Sequence, residues 1–567
     1  MDLKYEIGQL LSTAISELTQ EEIMSILEVP GRMEMGDYAF PCFRLAKVYR
    51  KAPPQIAQEL IEKIPASPFI KRVEAVNGYI NFFMNPAPFI SHVLTSVLEQ
   101  REKYGSSIMG EGKNIVIDYS APNIAKPFHI GHLRSTVIGN ALYQIHAFLG
   151  YNCIGINHLG DWGTQFGKLI VAYKKWGSKE EIEEKGIQEL NHLYVKFHEE
   201  AEQNPELEEE ARGWFTKMEH GDEGALSLWK WFKEISLKEF NRVYDLLGVS
   251  FDSYAGESFY NDKMEPIIQE LKDKKLLEKS EGAEIVDLSE EDMPPCLITK
   301  KDGSTLYATR DITAAIYRKN TYDFTRCIYI TALEQNLHFA QWFTVIRKMG
   351  YDWHDKLVHV PFGMVSMETG KLSTRKGNVI LLEDILKESI EKTKAIIEEK
   401  NPNLENKEET AKAVGIGAII FNDLYNNRIK DIVFSWDKIL NFDGETGPYV
   451  QYTHARACSV LKKAEVKEQN LEEVAFELLD DDASIQVCKV LEGFPKVIQE
   501  AAERLEPSLL SRHVMDLAQA FNKFYHECPI LIAEEEIKRA RLALVESVQI
   551  VLQNGLRLLG IDAPKQM

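Results

Sequence analysis

The chain has 567 residues, enough for two to four domains, and its 44% apolar and 27% charged residues are typical of a folded globular protein. Seven widely spaced cysteines without a C-x-x-C pair argue against a disulfide framework and a zinc knuckle. No apolar run approaches the length of a membrane span, so we expect a reduced, cytoplasmic protein. The net charge of −21 argues against nucleic-acid binding unless a local basic face exists.

The hydrophobic pattern changes along the chain. It begins with an amphipathic helical stretch, YEIGQLLSTAISEL, followed by short alternating runs such as VEAVNGYINFFM. An α/β pattern follows, with NIVIDY and YNCIGINHLG as strand candidates on either side of a helix. These changes predict four regions: 1–105, 106–384, a connecting helical region over 385–440, and a helical region over 441–567. The second region contains a charged helical insertion at about 168–285.

Two histidines follow the first strand candidate of the α/β region, in the segment SAPNIAKPFHIGHL. The pattern predicts a helix that begins near Pro127–Gly131, and a helix N-terminus favours phosphate through its unpaired N–H groups. His129 and His132 are three residues apart, so both imidazoles can donate to the same phosphate. Gly131 lets a flat purine lie against the backbone. A pair of surface or capping histidines is the alternative, which the strand–loop–helix context disfavours.

A second segment, GKLSTRKGN (370–378), combines glycines with three cationic side chains. Such a loop is suited to closing over a polyphosphate, although a solvated basic turn is the ordinary interpretation when it stands alone. The presence of the histidine segment in the same chain favours the interpretation of this loop as a phosphate-binding loop.

At these residues the sequence resembles the class I aminoacyl-tRNA synthetases. SAPNIAKPFHIGHLRST, together with NHLGDWGTQFG (157–167), resembles the arginyl-tRNA synthetases in particular, and the similarity extends over essentially the whole chain. The resemblance implies an α/β fold: a Rossmann-like parallel-sheet catalytic domain between an α+β N-terminal domain and an all-α anticodon-binding domain.

The resemblance also implies roles in ATP binding and catalysis. GKLSTRKGN resembles the family's K-M-S-K-S loop, but Thr374 stands where the second lysine belongs, and Lys126 is expected to substitute for it. The implied ATP-binding residues are His129, Gly131, His132 and Lys371. The implied catalytic residues are His129, His132, Lys126, Lys371 and Ser373.

An arginine-binding site is indicated by LYATRDITAAIYR, in which Tyr307 and Asp311 lie at i and i+4 on one helical face. A carboxylate is the preferred bidentate acceptor for a guanidinium group. An Asp near a helix N-terminus commonly just compensates the helix dipole, so the pattern alone is weak. The resemblance places Tyr307 and Asp311 in the arginine pocket, Asp118 and Asn123 near the substrate α-amino group, and Gln335 near the pocket. Such polar contacts reject analogues without an editing domain.

Two further segments are candidates for RNA contacts. In VNGYINFF the side chains of Asn77, Tyr79 and Asn81 are expected to share one strand face, although an ordinary half-buried strand would give the same pattern. In GPYVQYTHAR, Tyr449 and Tyr452 lie at i and i+3 on a predicted helix, which core packing would also explain. The resemblance implies that the first three residues read the tRNA D-loop. It also implies that the two tyrosines and Met567 approach anticodon bases.

The resemblance therefore implies ATP-dependent activation of L-arginine and its transfer to the 3′-terminal adenosine of tRNA(Arg). We expect Mg²⁺ on the nucleotide, no structural metal, no membrane partner and a monomer. Two alternatives remain open from the residues themselves. One is another nucleotidyl-transfer enzyme on the same fold, which the long helical C-terminal region disfavours. The other is a catalytically silent RNA-binding module, which the presence of His129, His132 and Lys371 disfavours.

Overall fold

The N-terminal region folds around a small antiparallel sheet in the order β1-β3-β2. The computed structural model describes residues 3–300, 306–367, 381–465 and 471–567. Alternate residues of the central strand, Ile80, Phe82 and Met84, enter the hydrophobic core, as the two-residue period of a strand requires. The elements of this region are α1 (Leu3–Ala14), α2 (Gln20–Ile26), β1 (Tyr38–Pro41), α3 (Ala46–Tyr49), α4 (Pro53–Ile61), β2 (Ile70–Val76), β3 (Tyr79–Met84) and α5 (Pro86–Gln100).

The central region contains the parallel sheet that the sequence predicts, with a long insertion between its second and third strands. In chain order its elements are β4 (Asn114–Asp118), α6 (Leu133–Phe148), β5 (Asn152–Ile156), α7 (Thr164–Trp176), α8 (Lys179–Lys185), α9 (Ile187–Gln203), α10 (Glu206–Glu219), α11 (Glu223–Leu247), α12 (Met264–Asp273), β6 (Glu278–Ser280), β7 (Ala283–Val286), β8 (Cys296–Thr299), α13 (Tyr307–Tyr322), β9 (Arg326–Ala332), α14 (Asn336–Lys348), β10 (Leu357–Phe362) and β11 (Val365–Met367).

The parallel sheet has the strand order β10-β9-β4-β5. Its strand β4 is almost wholly buried, as expected for a parallel strand that is covered on both faces. The chain leaves β4 toward β5 on one side and returns to β9 on the other side. In open α/β sheets, ligands bind in the crevice at the carboxyl ends of the strands where the connections diverge in this way. The carboxyl ends of β4 and β9 therefore locate the candidate site.

The insertion differs from the expected helical stretch at about 168–285. Its helices begin at Thr164, and they are followed by a three-stranded antiparallel sheet, β6-β7-β8, that extends to Thr299. These strands have only three or four residues each, and β6 is exposed along its whole length. They are too short and too polar to give a recognisable alternating pattern, so the sequence did not predict them.

The C-terminal part is helical, with one exception. Within the connecting region 385–440, which the sequence predicts to be mainly helical, a short strand at Ile432–Phe434 (β12) pairs in parallel with β11. Among the residues that the structure describes, no helix is long and apolar enough to cross a membrane. The elements are α15 (Leu382–Lys400), α16 (Lys407–Tyr425), β12 (Ile432–Phe434), α17 (Trp436–Ile439), α18 (Gly447–Lys463), α19 (Asp482–Arg504), α20 (Ser508–Glu527) and α21 (Glu535–Leu558).

Candidate active site

The two histidines lie at the entrance to α6, just beyond the carboxyl end of β4. Ile130–His132 form a single 3-10 turn, and regular α-helix begins at Leu133. The predicted opening near Pro127–Gly131 thus includes the start of the 3-10 turn at Ile130, and regular α-helix begins two residues after Gly131. The backbone of His129 is extended, with φ −103° and ψ 168°, and forms a β-bridge with Leu381, which postpones the first helical turn.

Backbone groups hold both imidazoles in place. Nδ1 of His129 accepts from the N–H of Gly131 at 3.0 Å, so the proton of this neutral ring resides on Nε2. Nδ1 of His132 lies 3.2 Å from the N–H of His129 and 3.3 Å from the carbonyl of the same residue, so its role as acceptor or donor depends on the tautomer of the ring. The centroids of the two rings are 4.1 Å apart.

Gly131 is required by the close approach of the His129 ring. A Cβ atom at this position would lie 2.7 Å from Cε1 and 2.8 Å from Nδ1 of that imidazole. Any side chain would push the ring away from the N–H group that orients it. This is a structural reason for glycine that the sequence did not reveal.

Both imidazoles are neutral at physiological pH. Burial lowers the pKa of His129, and the positive charge of Lys126 lowers it further. Burial lowers the pKa of His132 to about 3, and its ring stacks on Phe128 at a centroid distance of 5.0 Å. The pair can therefore donate hydrogen bonds to a developing negative charge without carrying a formal charge.

The loop between β4 and the histidines is held in an uncommon backbone conformation. Ser120, Ala121 and Ala125 have φ values of 70°, 45° and 60°, in the left-handed region that favours glycine. Each such residue costs on the order of 1 kcal/mol or more and persists only where its surroundings hold it. Oγ of Ser135 accepts from the N–H of Ser120, and Oγ of Ser236 accepts from the N–H of Ala125, both at 2.9 Å. Helices α6 and α11 thus clamp the loop.

Lys371 and Ser373 lie outside the described residues. The chain that follows them is anchored beside the histidines, since Leu381 forms the bridge with His129. In addition, the N–H of Leu382 donates to the carbonyl of Phe128 at 2.9 Å.

A buried arginine on α6, Arg134, holds the chain that precedes residues 368–380. Nη1 of Arg134 donates to the carbonyls of Gly363 and Lys430, both at 2.8 Å, and Nε lies 3.1 Å from Oδ2 of Asp423. The side chains of Arg134 and Asp423 are only 1% and 4% exposed. Gly363 lies two residues before β11, and Lys430 two residues before its partner β12. Sequence reasoning missed this anchor, although a charged residue among the apolar positions of α6 was a usable signal.

The first part of the predicted arginine pocket contains a second buried ion pair. Asp118, the last residue of β4, lies 2.8 Å from Nη2 of Arg318 on α13. Burial acts against the charge of Arg318, but the combined effect of Asp118, Tyr260, Tyr329 and Cys327 raises its pKa. His158 follows β5, and its Nδ1 lies 3.4 Å from the same guanidinium. Asp118 thus has an internal partner that sequence reasoning missed.

The second part of the pocket is formed by α13 and the start of α14. Tyr307 and Asp311 lie on α13 as predicted, one turn apart, and Tyr307 is 66% exposed. Nε2 of His338, on α14, lies 2.6 Å from Oδ2 of Asp311. Gln335 is exposed immediately before α14, one turn from His338. His338 was not predicted, although its i+3 relation to Gln335 could have indicated it.

Further acidic groups surround Asp311. Burial raises the pKa of Glu257 to about 7, the adjacent Arg310 opposes this, and the charges of Asp311 and Asp161 add to it. Two of these three carboxyl groups have cationic partners, since Lys233 lies 2.5 Å from Asp161 and Arg310 lies 3.6 Å from Glu257. Asn123 lies on the opposite loop, where its Oδ1 is so close to Gly160 that a Cβ atom there would be only 2.1 Å away.

The structure separates the three proposed D-loop readers. Asn77 occupies the turn between β2 and β3 with φ 50° and is exposed, whereas Tyr79 and Asn81 lie in β3. The expectation that all three share a strand face is wrong because the hairpin reverses at Asn77. Asn81 is only 1% exposed, and its Oδ1 has no hydrogen-bond partner.

The C-terminal candidates lie on or beside α18. The hydroxyl of Tyr449 accepts from Nδ2 of Asn522 at 2.9 Å, while Tyr452 is 42% exposed. The guanidinium of Arg456 lies 5.0 Å from the centre of the Tyr452 ring. The carbonyl of Met567 accepts from Asn401 at 3.1 Å.

No group of three or more histidine, cysteine, aspartate or glutamate side chains in the described part of the chain is arranged to hold a metal ion. Lys126 lies close enough to the two imidazoles to lower the pKa of each, and the carboxylate of Glu239 accepts a hydrogen bond from the backbone of the adjacent Phe128.

Comparisons with known proteins agree with the geometry. Three family models match the chain: "Arginyl tRNA synthetase N terminal domain" over 4–84, "tRNA synthetases class I (R), catalytic domain" over 93–436 and "DALR anticodon binding domain" over 450–567.

Similar proteins match over their full lengths. The "Arginine--tRNA ligase" proteins of Alkaliphilus metalliredigens and Clostridioides difficile are 60% and 58% identical, and in both cases 100% of each chain is covered. The solved arginyl-tRNA synthetase of Thermus thermophilus shares the fold with a TM-score of 0.82 at 24% identity, over 100% of both chains. The chain therefore belongs to the class I arginyl-tRNA synthetases, a family of arginine–tRNA ligases.

Proposed function

We propose that the chain joins L-arginine to tRNA(Arg) in two steps at one site, beginning with attack of the arginine carboxylate on the α-phosphate of ATP. Pyrophosphate leaves, and the arginyl group then passes to the 3′-terminal adenosine of the tRNA. The paired imidazoles of His129 and His132, with ring centroids 4.1 Å apart, are the observation that carries this proposal. They would donate to the phosphate oxygens as negative charge develops. Gly131 would leave room for the nucleotide beside them.

Cationic side chains complete the proposed phosphate site. Lys126 acts on the pKa of both imidazoles, which supports a role for its ammonium close to the reacting phosphate. Lys371 and Ser373 would approach from the segment whose end is anchored at Leu381 beside His129. In this chain, Lys126 would replace the missing second lysine of that segment. Mg²⁺ would enter with the nucleotide, held mainly by phosphate oxygens.

For arginine, we propose that Asp311 receives the guanidinium group through its two carboxylate oxygens. His338 would orient that carboxylate from behind, and Tyr307 and Gln335 would border the side chain. Asp118 and Asn123 would bind the α-amino group, with Asp118 keeping its contact to Arg318.

For tRNA, we propose that the region 1–105 contacts the D-loop through Asn77 and Tyr79, and that Asn81 supports the strand. The helical region 441–567 would contact anticodon bases through Tyr449, Tyr452 and Met567. Between them, 106–384 would hold the catalytic site, and 385–440 would connect the two ends. The protein would act as a cytoplasmic monomer.

An aminoacylation assay with total tRNA and each amino acid in turn tests the proposal. Arginine alone should be charged, and arginine-dependent pyrophosphate exchange should be negligible without tRNA. Charging with another amino acid, or none, would overturn the proposed function. Robust exchange in RNA-free protein would overturn only the dependence on tRNA.

A further inference from the structure

Glu239 is a buried acidic residue on α11 that no step of the proposed reaction uses. It is only 9% exposed, and its carboxylate accepts a hydrogen bond from the backbone N–H of Phe128. Phe128 is the last residue of the loop after β4 and immediately precedes His129. The hydrogen bond therefore acts on the backbone that leads into the imidazole pair.

The start of α15 holds the same residue from its other side. The carbonyl of Phe128 accepts from the N–H of Leu382 at 2.9 Å, and the next residue, His129, forms the β-bridge with Leu381. Phe128 is thus held through both of its peptide groups, the first by α11 and the second by the start of α15.

An ion pair joins the two helices directly. Nη2 of Arg242, three residues after Glu239 on α11, lies 2.6 Å from Oε2 of Glu383 in the first turn of α15. Glu383 is also paired with Lys387 at 2.8 Å. The loop after β4, α11 and α15 therefore contact one another in all three combinations.

The loop depends on such contacts because three of its residues have φ values in the left-handed region. A backbone in that region persists only where its surroundings hold it. Oγ of Ser236 accepts from the N–H of Ala125, and Glu239 accepts from the N–H of Phe128. Both steps are three residues long, so one face of α11 follows the loop toward the histidines.

The strength of the second contact depends on the charge of Glu239. Burial raises the pKa of Glu239 to about 7. The positive charge of Arg242 opposes this effect, whereas the negative charges of Glu383 and Asp384 add to it. Glu239 is therefore ionised above neutral pH and protonated below it. An ionised carboxylate accepts a stronger hydrogen bond than a neutral carboxyl group does.

We propose that Glu239 is a positioning residue for adenylate formation, which holds the backbone of Phe128 so that the imidazoles of His129 and His132 keep their place beside the start of α15. It acts through the loop and touches neither ATP nor arginine. Because its ionised form holds the loop more firmly, the rate of adenylation rises as Glu239 loses its proton. This inference rests on the proposed function and assigns a further residue to the same reaction.

Single-turnover adenylation across the neutral pH range, with saturating ATP, arginine and tRNA, tests this role. The wild-type rate should fall about 5-fold as Glu239 is protonated, because the hydrogen bond to a charged acceptor becomes one to a neutral acceptor. Glu239→Gln keeps a neutral acceptor and should run at the low-pH rate throughout. Glu189→Gln is the matched control, because Glu189 is a glutamate of the insertion that is 7% exposed, and it should keep the wild-type profile. A wild-type profile in Glu239→Gln would overturn the proposal.

Saturating arginine separates this effect from the titration of Glu257, the pKa of which is also raised to about 7. Glu257 lies beside Arg310 in the predicted arginine pocket, so its protonation is expected to change the KM for arginine rather than the rate at saturation. Arg242→Gln removes the charge that opposes the raised pKa of Glu239, so it should move the transition to higher pH. A transition that stays in place or moves to lower pH would overturn the proposal.

Hydrogen exchange without substrates tests the contact itself. Glu239→Ala leaves the N–H of Phe128 without its acceptor, so the amides of residues 128–133 should exchange about 10-fold faster. Glu189→Ala should leave these amides unchanged, and unchanged exchange in Glu239→Ala would overturn the proposal.

The two measurements separate this inference from the proposed function. A wild-type protein that does not charge arginine, but in which Glu239→Ala speeds exchange at the histidines, would refute the proposed function alone, since the contact acts on the imidazoles whichever amino acid is activated. Normal charging of arginine with a wild-type pH profile in Glu239→Gln would refute this inference alone.

Discussion

Breaking the buried pair between Arg134 and Asp423 should loosen the anchor that joins α6 to the chain on both sides of residues 368–380. In Asp423→Asn, the guanidinium of Arg134 would keep its two backbone carbonyls but lose its counter-charge in a site where it is 1% exposed. Removing one partner of a buried ion pair costs about 3–5 kcal/mol. Arg134→Met should cost a similar amount, because it leaves the Asp423 carboxyl buried without its partner.

Replacing both partners together should cost less than the sum of the two single changes. Burial raises the pKa of Asp423 in spite of the nearby Arg134, so desolvation offsets much of the attraction within the pair. Apolar substitution of both groups removes that desolvation cost along with the attraction. The carbonyls of Gly363 and Lys430 would still lose their donor, at about 1–3 kcal/mol each. We therefore expect R134M/D423L to be roughly as stable as either single variant rather than twice as destabilised.

Hydrogen exchange resolved by peptide is the appropriate measurement, because global unfolding of a multidomain chain is not a two-state process. Amides of α6 and of residues 357–367 should exchange faster in Asp423→Asn, while those of α20 and α21 provide an internal reference. Single-turnover adenylation should slow in the same variants. An unchanged exchange rate at α6 in Asp423→Asn would refute the reasoning. So would an effect of R134M/D423L on exchange that equals the sum of the effects of the two single changes.

Three other predictions concern the site itself. Lys126→Ala should slow single-turnover adenylation by about 100-fold, because we propose that its charge acts on the phosphate, and should leave the melting temperature unchanged, because the residue is exposed. A normal rate would show that Lys126 does not replace the missing lysine. His338→Ala should raise the KM for arginine by about 10-fold with little change in kcat, because the hydrogen bond to the Asp311 carboxylate is lost. His338→Gln should restore part of the affinity for arginine. A fall in kcat alone would contradict a positioning role. His132 has an ordinary pKa of 6.5 in the unfolded chain and about 3 in the fold, so its neutral form stabilises the fold above pH 6.5 and this contribution is lost as the pH falls toward 3. The melting temperature of His132→Asn should therefore fall less than that of the wild type between pH 7 and 5, and parallel curves would disprove the shift.

The parallel sheet and the site that it carries could largely be predicted from the sequence. NIVIDY forms β4 and YNCIGINHLG contains β5, because buried parallel strands are continuous apolar runs. Tyr307 and Asp311 lie one turn apart on α13, as the spacing indicated. The class I fold and the family, which rest on the same segments, are confirmed by the comparisons.

The remaining features depend on contacts between residues far apart in the chain. Neither the pairing of Asp118 with Arg318 nor that of Asp311 with His338 has a local signature, since each partner lies on a different element. The start of regular α-helix at Leu133 has no local signature either, because the β-bridge between His129 and Leu381 joins residues about 250 positions apart. An alternating polar–aromatic pattern is the same in a strand with buried polar residues and in one with exposed polar residues, so the sequence could not show that Asn81 is buried.

The clamped loop after β4 has a consequence for engineering a smaller enzyme. Its left-handed residues are held from one side by α11, through Ser236 to Ala125 and through Tyr244 to Ser120. Deleting the insertion would therefore release the stored strain and let the loop relax away from the geometry that aims the imidazoles. We therefore expect a minimal catalytic core, built from the four parallel strands and their crossover helices alone, to keep the parallel sheet and lose the adenylation activity.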